Sequence, residues 1–186
     1  MIKTFRNNLK KMKNLIIITL LITTSSIFSQ TIEFEKVVQT DNSATKGILF
    51  DRLSSRLIEY NAGQAKYDKN IVQSDKEIGV IKFKQSMEYN PDGNRSDDGF
   101  VNYNVSVFFK DGRFKIILSD LIHEGKGISL YEITNDSEYP HAKTNFLKFR
   151  KKAWIELKEY LNIEMPKRIS ILENMILQPT EQEKDW

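Results

Sequence analysis

No cysteine occurs among the 186 residues of this chain. A chain without thiols forms no disulfide bond, has no thiolate nucleophile or thiolate metal ligand, and lacks the lipidated cysteine that anchors exported bacterial lipoproteins. Its stability therefore depends on packing. The composition allows a packed hydrophobic core, because 40% of the residues are hydrophobic and 28% are charged. These fractions are typical of a soluble globular protein of one domain.

Recognisable catalytic motifs are also missing. The two histidines, His123 and His141, are far apart and lack the His-Glu-x-x-His spacing of zinc proteases. No Gly-x-Ser-x-Gly nucleophile elbow occurs, and the eight glycines form no phosphate-binding loop. Adjacent carboxylates such as Asp97 and Asp98 are expected by chance in a chain with 25 acidic residues. We therefore predict no catalytic, cofactor-binding or metal-binding residues, and we expect both histidines at the surface or in loops.

One loop has the alternating polar side chains of a calcium site, namely Asp92, Asn94, Ser96 and Asp98. An EF-hand loop requires Gly at its sixth position and a bidentate Glu at its twelfth, where this chain has Asp97 and Tyr103. We interpret residues 90–99 as a hydrated loop, because turn-forming residues occupy almost all of it. A calcium site of looser geometry, outside the EF-hand motif, is the alternative interpretation.

The first residues have the pattern of a secretory signal peptide. Basic residues precede an apolar run at residues 15–22, and small and polar residues follow it; the basic residues are Lys3, Arg6, Lys10, Lys11 and Lys13. The run is short for a membrane span, so a retained anchor is the less favoured alternative. We predict cleavage after Ser29 and a mature protein that begins at Gln30, in the periplasm or outside the cell. Translation from Met12 instead of Met1 would give a more compact signal.

The basic character of the chain belongs to that leader. The whole chain has 28 Lys and Arg against 25 Asp and Glu, and all the charged residues of the first 29 are basic. The remainder therefore has a small net negative charge. We expect no nucleic-acid partner, because the broad basic surface that such a partner requires is absent.

Hydrophobic periodicity predicts a strand, a helix and two more strands in the first half of the chain. Residues 31–38 alternate as a strand does. A helix follows to about Asn61, with Gly63 as its stop, because Leu49, Leu53 and Leu57 recur at helical spacing. Side chains able to cap its start are Asp41, Asn42, Ser43 and Thr45. Residues 70–74 and 80–89 are the two further strands.

The segment 101–118 combines the period of a strand with the residues of a tight turn. Val101, Tyr103, Val105, Val107 and Phe109 alternate with polar residues up to Asp111-Gly112, which predicts a hairpin with a two-residue type I′ turn. The turn sets the register, with Lys110 opposite Arg113, Phe109 opposite Phe114, Val107 opposite Ile116 and Val105 opposite Leu118. One face of this ribbon is therefore apolar and must be covered.

The C-terminal part changes to helical periodicity. After a weak edge-strand pattern at residues 128–133, a helix is predicted from Lys143 to about Asn162, and Pro166 ends it or starts a shorter one. The basic run 148–152 next to Trp154 would suit an acidic partner or a membrane surface, but we favour a solvated helix face, because Glu156 and Glu159 follow directly. Residues 178–186 are predicted to be a frayed tail.

This order of elements resembles a Bacteroidetes family described as a domain of unknown function, DUF4468, with a TBP-like fold. The resemblance rests on Val37-Val38 before a helix cap, on the Leu53 and Leu57 helix, and above all on residues 101–120 with Lys110-Asp111-Gly112-Arg113-Phe114 at the turn. It implies an α+β fold, a curled antiparallel sheet of about five strands with a helix across one face, plus C-terminal helices. It implies no activity, because a shared shape does not carry function.

The predicted organisation is a signal peptide at 1–29, a TBP-like α+β domain at 30–135, C-terminal helices packed on it at 136–178, and a tail at 179–186. The function that we favour is a non-enzymatic binding module of the cell envelope, with an envelope protein or a small ligand as its partner. The alternative is an envelope hydrolase whose carboxylates are brought together by folding. Because one helix covers one face of a sheet, we expect the C-terminal helices to cover the second face of a monomer; otherwise another chain covers it in a dimer.

Overall fold

The computed structural model of the protein describes residues 31–41, 43–60, 68–91, 95–141 and 143–184. Its elements are β1 (Phe34–Gln39), α1 (Lys46–Tyr60), β2 (Ile71–Asp75), β3 (Val80–Tyr89), β4 (Gly99–Lys110), β5 (Arg113–Gly125), β6 (Tyr131–Glu132), α2 (Leu147–Leu177) and α3 (Glu181–Lys184). The predicted signal peptide, the helix stop at Gly63 and the candidate cap Asn42 lie outside the described residues.

The six strands form one antiparallel sheet. Its order is β1-β5-β4-β3-β2, and the two residues of β6 extend it by pairing with β5 beyond the end of β1. This confirms the predicted α+β class and its antiparallel sheet. The predicted edge strand at 128–133 is reduced to β6, next to an isolated bridge between Thr31 and Thr134.

The β4–β5 hairpin has the predicted register. Lys110 pairs with Arg113 and Phe109 with Phe114, and the remaining predicted pairs follow. The predicted type I′ turn is wrong, since only Gly112 has a positive φ, of 71°, whereas that turn also needs one at Asp111. The Asp111 carboxylate has another role: its Oδ1 accepts a hydrogen bond of 2.7 Å from the Lys46 backbone N–H at the start of α1.

The hairpin tip is tied to the segment before α1 by further hydrogen bonds. The Gly112 N–H donates to the Ala44 carbonyl over 3.0 Å, and the Thr40 N–H donates to the Gly112 carbonyl over 2.9 Å. Thr45 caps the helix as predicted, because its Oγ1 accepts the Ile48 N–H at 3.4 Å. The Asp111-Gly112 turn of the hairpin therefore also positions the first helix.

A β-bulge at Asp120 changes the phase of β5. Asp120 has a φ of 52°, and the register shifts opposite Asn102 and Asn104. The strand therefore continues past its predicted end near residue 120 to Gly125, and Leu121 and His123 return to the buried face.

Both long helices pack on the same face of the sheet. The buried side chains of α1 and α2 share one hydrophobic core with the inward side chains of β3, β4 and β5. From the helices these are Leu49, Phe50, Leu53, Leu57, Ala153, Trp154, Leu157, Leu161, Met165, Ile169, Leu172 and Ile176. The Lys36 ammonium group on β1 pairs with Glu173 of α2 at 2.6 Å, which fixes the far end of that helix on the same side.

The expectation that the C-terminal helices cover the second face is therefore wrong. The prediction of a helix end at Pro166 is wrong as well, because the 31-residue helix α2 passes through Pro166 and ends at Leu177. The buried stripe carries on across the proline, with Met165 and Ile169 on either side of it, while Pro166 itself is exposed. Packing against the sheet and α1 thus outweighs the single helical hydrogen bond that proline cannot make.

Trp154 is a core residue of α2 and belongs to no surface patch. Its ring is fully buried, and its indole N–H donates to the Asp136 carbonyl over 3.1 Å. The membrane-surface alternative for the run 148–152 has no exposed aromatic residue at Trp154, because that ring is buried against Tyr139. Lys151 and Lys152 lie at the surface, where they pair with Glu138 and Glu156.

Replacing Gly112 by valine should destabilise the protein by about 2 kcal/mol, because an L-residue, and a β-branched one most of all, is strained at positive φ. The matched control is Gly47→Ala: the added Cβ lies 3.6 Å from Lys76 Cε in a helix where alanine is preferred. Urea unfolding measures both variants. A Gly112→Val midpoint equal to that of the wild type would contradict the hairpin geometry.

Candidate functional site

The candidate site is the outer face, which we define as the side chains of β1 to β5 on the side of the sheet opposite α1 and α2. The register places these side chains in rows across the strands. Along β4 they are Phe100, Asn102, Asn104, Ser106, Phe108 and Lys110. The rows divide the outer face into two ends that are partly apolar and a polar middle.

The hairpin end combines two apolar side chains with three cations. Phe108 pairs with Lys115, and Lys115 pairs with Val37 on β1. Together with Lys110 and Arg113 they line a concavity of about 380 Å³. Val37 is 52% exposed and Phe108 36% exposed, so part of each side chain is accessible to solvent.

The opposite end, which we call the distal end, has the reverse charge. Phe100 lies between Glu88 on β3 and Glu124 on β5, and Ile122 lies beside Glu132 of β6. Phe100 is 52% exposed and Ile122 41% exposed. The three carboxylates are exposed at the surface.

The middle of the outer face is a polar groove of about 600 Å³. Its lining includes Lys84, Asn102, Asn104, Asp120 and Ile122. The bulge brings the Asp120 carboxylate into the groove, where its Oδ2 accepts hydrogen bonds from Asn104 Nδ2 at 2.8 Å and from Ser119 Oγ at 3.1 Å. Those donors hold the carboxylate in one orientation.

This groove lacks the carboxylate pair that a glycoside hydrolase uses. Asp120 is the single acidic residue among the described residues that line it, whereas glycosidases place two carboxyl groups on opposite sides of the scissile bond. In the described ranges, no three His, Asp or Glu side chains come close enough to hold a metal ion. The arrangement is suited to binding by contact and hydrogen bonding.

His123 does not lie at the surface, and that prediction is wrong. Its ring is fully buried, and the Leu130 N–H donates to Nδ1 over 3.0 Å, so Nε2 carries the proton and donates to the Asp97 carbonyl over 2.8 Å. Burial lowers the pKa of His123, and the hydrogen bond to the Asp97 carbonyl, followed by the Asp97 and Glu124 carboxylates, opposes this less strongly. His123 thus acts as a neutral structural link on the helix side of the sheet. The exposed His141 fits the prediction.

The loop that precedes β4 is more buried than the sequence predicted. Asp97 and Asp98 are both buried. The Arg95 guanidinium donates two hydrogen bonds, of 2.9 and 3.0 Å, to the Asp97 carboxylate. Arg95 also pairs with Glu156 of α2 at 2.6 Å, so the hydrated loop that we expected is docked against the helix. Asp92 and Asn94 of the calcium pattern lie outside the described residues.

Sequence reasoning identified each strand of the outer face, but it favoured C-terminal helices as the cover of that face and kept another chain as the alternative. The hairpin register already indicates which side chains share this face. Lys110, Arg113 and Phe108 at one end and Phe100 at the other occupy outward-facing positions of β4 and β5. Their importance depends on whether a helix covers them, and a strand's own periodicity cannot decide that.

The neutral state of His123 predicts a pH-dependent stability. The pKa of His123 is lower in the folded protein than its ordinary value near 6.5. Above pH 6.5 the histidine is neutral in both the folded and the unfolded chain, and the protein has its full stability. As the pH falls below 6.5 the unfolded chain binds more protons than the folded protein, which lowers the free energy of unfolding. We expect the free energy of unfolding to fall as the pH drops below about 6.5, by up to about 1.4 kcal/mol per pH unit.

The variant His123→Gln removes this titration and His141→Gln is its matched control. Although His123→Gln lowers stability at every pH, its dependence on pH in that window should be flatter than that of the wild type, while His141→Gln keeps the wild-type slope. Urea titrations at several pH values measure the slopes. Equal slopes in all three proteins would contradict a buried neutral His123.

Comparisons with known proteins identify the fold. No family model matches the chain, and no curated protein matches it by sequence. Among solved structures, it is similar to a TBP-like protein from Parabacteroides distasonis, with a TM-score of 0.53 and 16% identity over 84% of this chain and 99% of that one. It is also similar to a DUF4468 family protein from Bacteroides ovatus, with a TM-score of 0.52 and 16% identity over 84% of this chain and 91% of that one.

None of the described helices combines the length and the hydrophobicity of a membrane span. The two structural neighbours confirm the resemblance inferred from the hairpin and its flanking elements, at the level of the fold. The chain has the TBP-like α+β fold that a DUF4468 family protein also has.

Proposed function

We propose that this chain is an exported, non-enzymatic binding module of the cell envelope, and that its outer face binds a protein partner. The observation that carries the proposal is the placement of both long helices on one side of the sheet. It leaves Val37, Phe100, Phe108 and Ile122 exposed on the other side.

Exposed apolar side chains are common singly, but a group of them on one face, rimmed by charged residues, is typical of an interaction surface. The apolar side chains of the outer face stand on paired β-strands, so their positions are held by the backbone ladder. A rigid, shallow surface of this kind suits a protein partner better than a small ligand, since small ligands bind in deeper and more apolar cavities.

Export is supported by the leader at residues 1–29. In the exported fraction, mass spectrometry should find an N-terminus at or near Gln30, because Ser29 directly before it is a small residue that suits signal peptidase. Recovery of the soluble protein with an intact Met1 or Met12 would contradict export by this route.

Photo-crosslinking tests the binding surface. Benzoylphenylalanine replaces Phe108 or Phe100 on the outer face, and the matched control replaces Phe146, which is 68% exposed and lies just before α2. In intact cells we expect a discrete protein adduct from positions 108 and 100 and none from 146. Equal adducts at all three positions, or none at 108 and 100, would contradict the proposal.

A further inference from the structure

We infer that the protein partner on the outer face is a second copy of this chain, in a two-fold face-to-face dimer. The inference rests on the proposed function, since it names the occupant of the same surface. It is motivated by the segregation of charge along the strands, which makes the outer face complementary to itself.

The charges at the two ends of the outer face have opposite signs. The hairpin end has Lys110, Arg113 and Lys115, and the distal end has Glu88, Glu124 and Glu132. The Glu35 carboxylate pairs with Lys115 at 2.6 Å and neutralises it. Apart from Lys115, none of these charged side chains forms an ion pair with another described residue.

A two-fold axis that lies in the interface and runs across the strands reverses the strand direction of the second copy. The hairpin end of each copy then lies against the distal end of the other, which brings Arg113 close to the partner copy's Glu124, because both residues stand on β5. The apolar pair Val37 and Phe108 likewise meets the apolar residues of the distal end. An isologous interface requires this kind of self-complementarity, and stacked sheets often align in this way.

The outer face is also large enough for a dimer interface. The 12 residues of β4 span about 40 Å at roughly 3.3 Å per residue, and five strands spaced at about 4.8 Å span roughly 19 Å. Each copy therefore offers on the order of 800 Å², which is the area that one partner buries in a standard-size protein interface. The polar groove with Lys84 and Asp120 falls at the centre, where it would hold water between the copies.

Charge-swap variants test this arrangement in the chain from Gln30 onward, which includes every described residue. The first variant is Lys110→Glu with Arg113→Glu, and the second is Glu88→Lys with Glu124→Lys. Lys110 and Arg113 are already a like-charge pair across the hairpin, so replacing both leaves their mutual repulsion unchanged. The control is Lys143→Glu with Lys148→Glu, an equal change of charge at exposed residues outside the sheet.

Sedimentation equilibrium over a range of concentrations is the measurement. We expect the wild type and the control to dimerise, and each outer-face variant alone to dimerise about tenfold more weakly or worse. An equimolar mixture of the two variants should form a heterodimer of restored affinity, since the two predominantly acidic ends of one variant then meet the two predominantly basic ends of the other. Circular dichroism of each variant verifies that it is folded.

A wild type that stays monomeric at every concentration would overturn the inference, as would a mixture that restores nothing. The crosslinking test separates this failure from that of the proposed function. An adduct of the chain with itself at position 108 supports the second copy. An adduct with a different protein, from a chain that is monomeric when purified, overturns the inference and keeps the binding module.

Discussion

Cross-strand pairing of β4 with β5 is the constraint on which the rest of the structure depends. It places Val105, Val107 and Phe109 on the same side as Phe114, Ile116 and Leu118, and all of these side chains are buried. Burying each of them is worth about 1.5–3 kcal/mol, so both long helices are drawn to that side. The hairpin tip also holds the start of α1 through Asp111 and Gly112. One hairpin therefore determines which face becomes the core and which stays open.

The elements near the hairpin could be predicted because their signals are local. Turn residues and strand alternation define the register without reference to the rest of the chain, and helix α1 follows from its leucine spacing and its caps. The side on which α2 packs, and its continuation through Pro166, depend on contacts between residues far apart in sequence. The same applies to His123, which is buried only because the Asp120 bulge turns it inward and distant backbone groups satisfy both ring nitrogens.

The candidate site was harder to predict than the fold. The outward residues of β4 and β5 look like the ordinary solvent face of an antiparallel sheet, where polar side chains are expected. Phe100, Phe108 and Ile122 become informative only after both helices are placed on the other side. Their grouping with mainly basic residues at one end and acidic residues at the other then depends on the register across four strands, which one hairpin cannot supply. The two structural neighbours share the fold alone, so the chemistry of this surface is inferred from the chain's own residues.

The central claim is that the outer face is open in the monomer and is covered by association. Because the chain has no cysteine, a single one introduced as Phe108→Cys reports this directly through its rate of thiol labelling, with the buried Leu118→Cys as the reference. We expect Phe108→Cys to label rapidly in dilute solution and more slowly as the protein concentration rises, while Leu118→Cys labels only on unfolding. Equal protection of both thiols in dilute solution would contradict the open face.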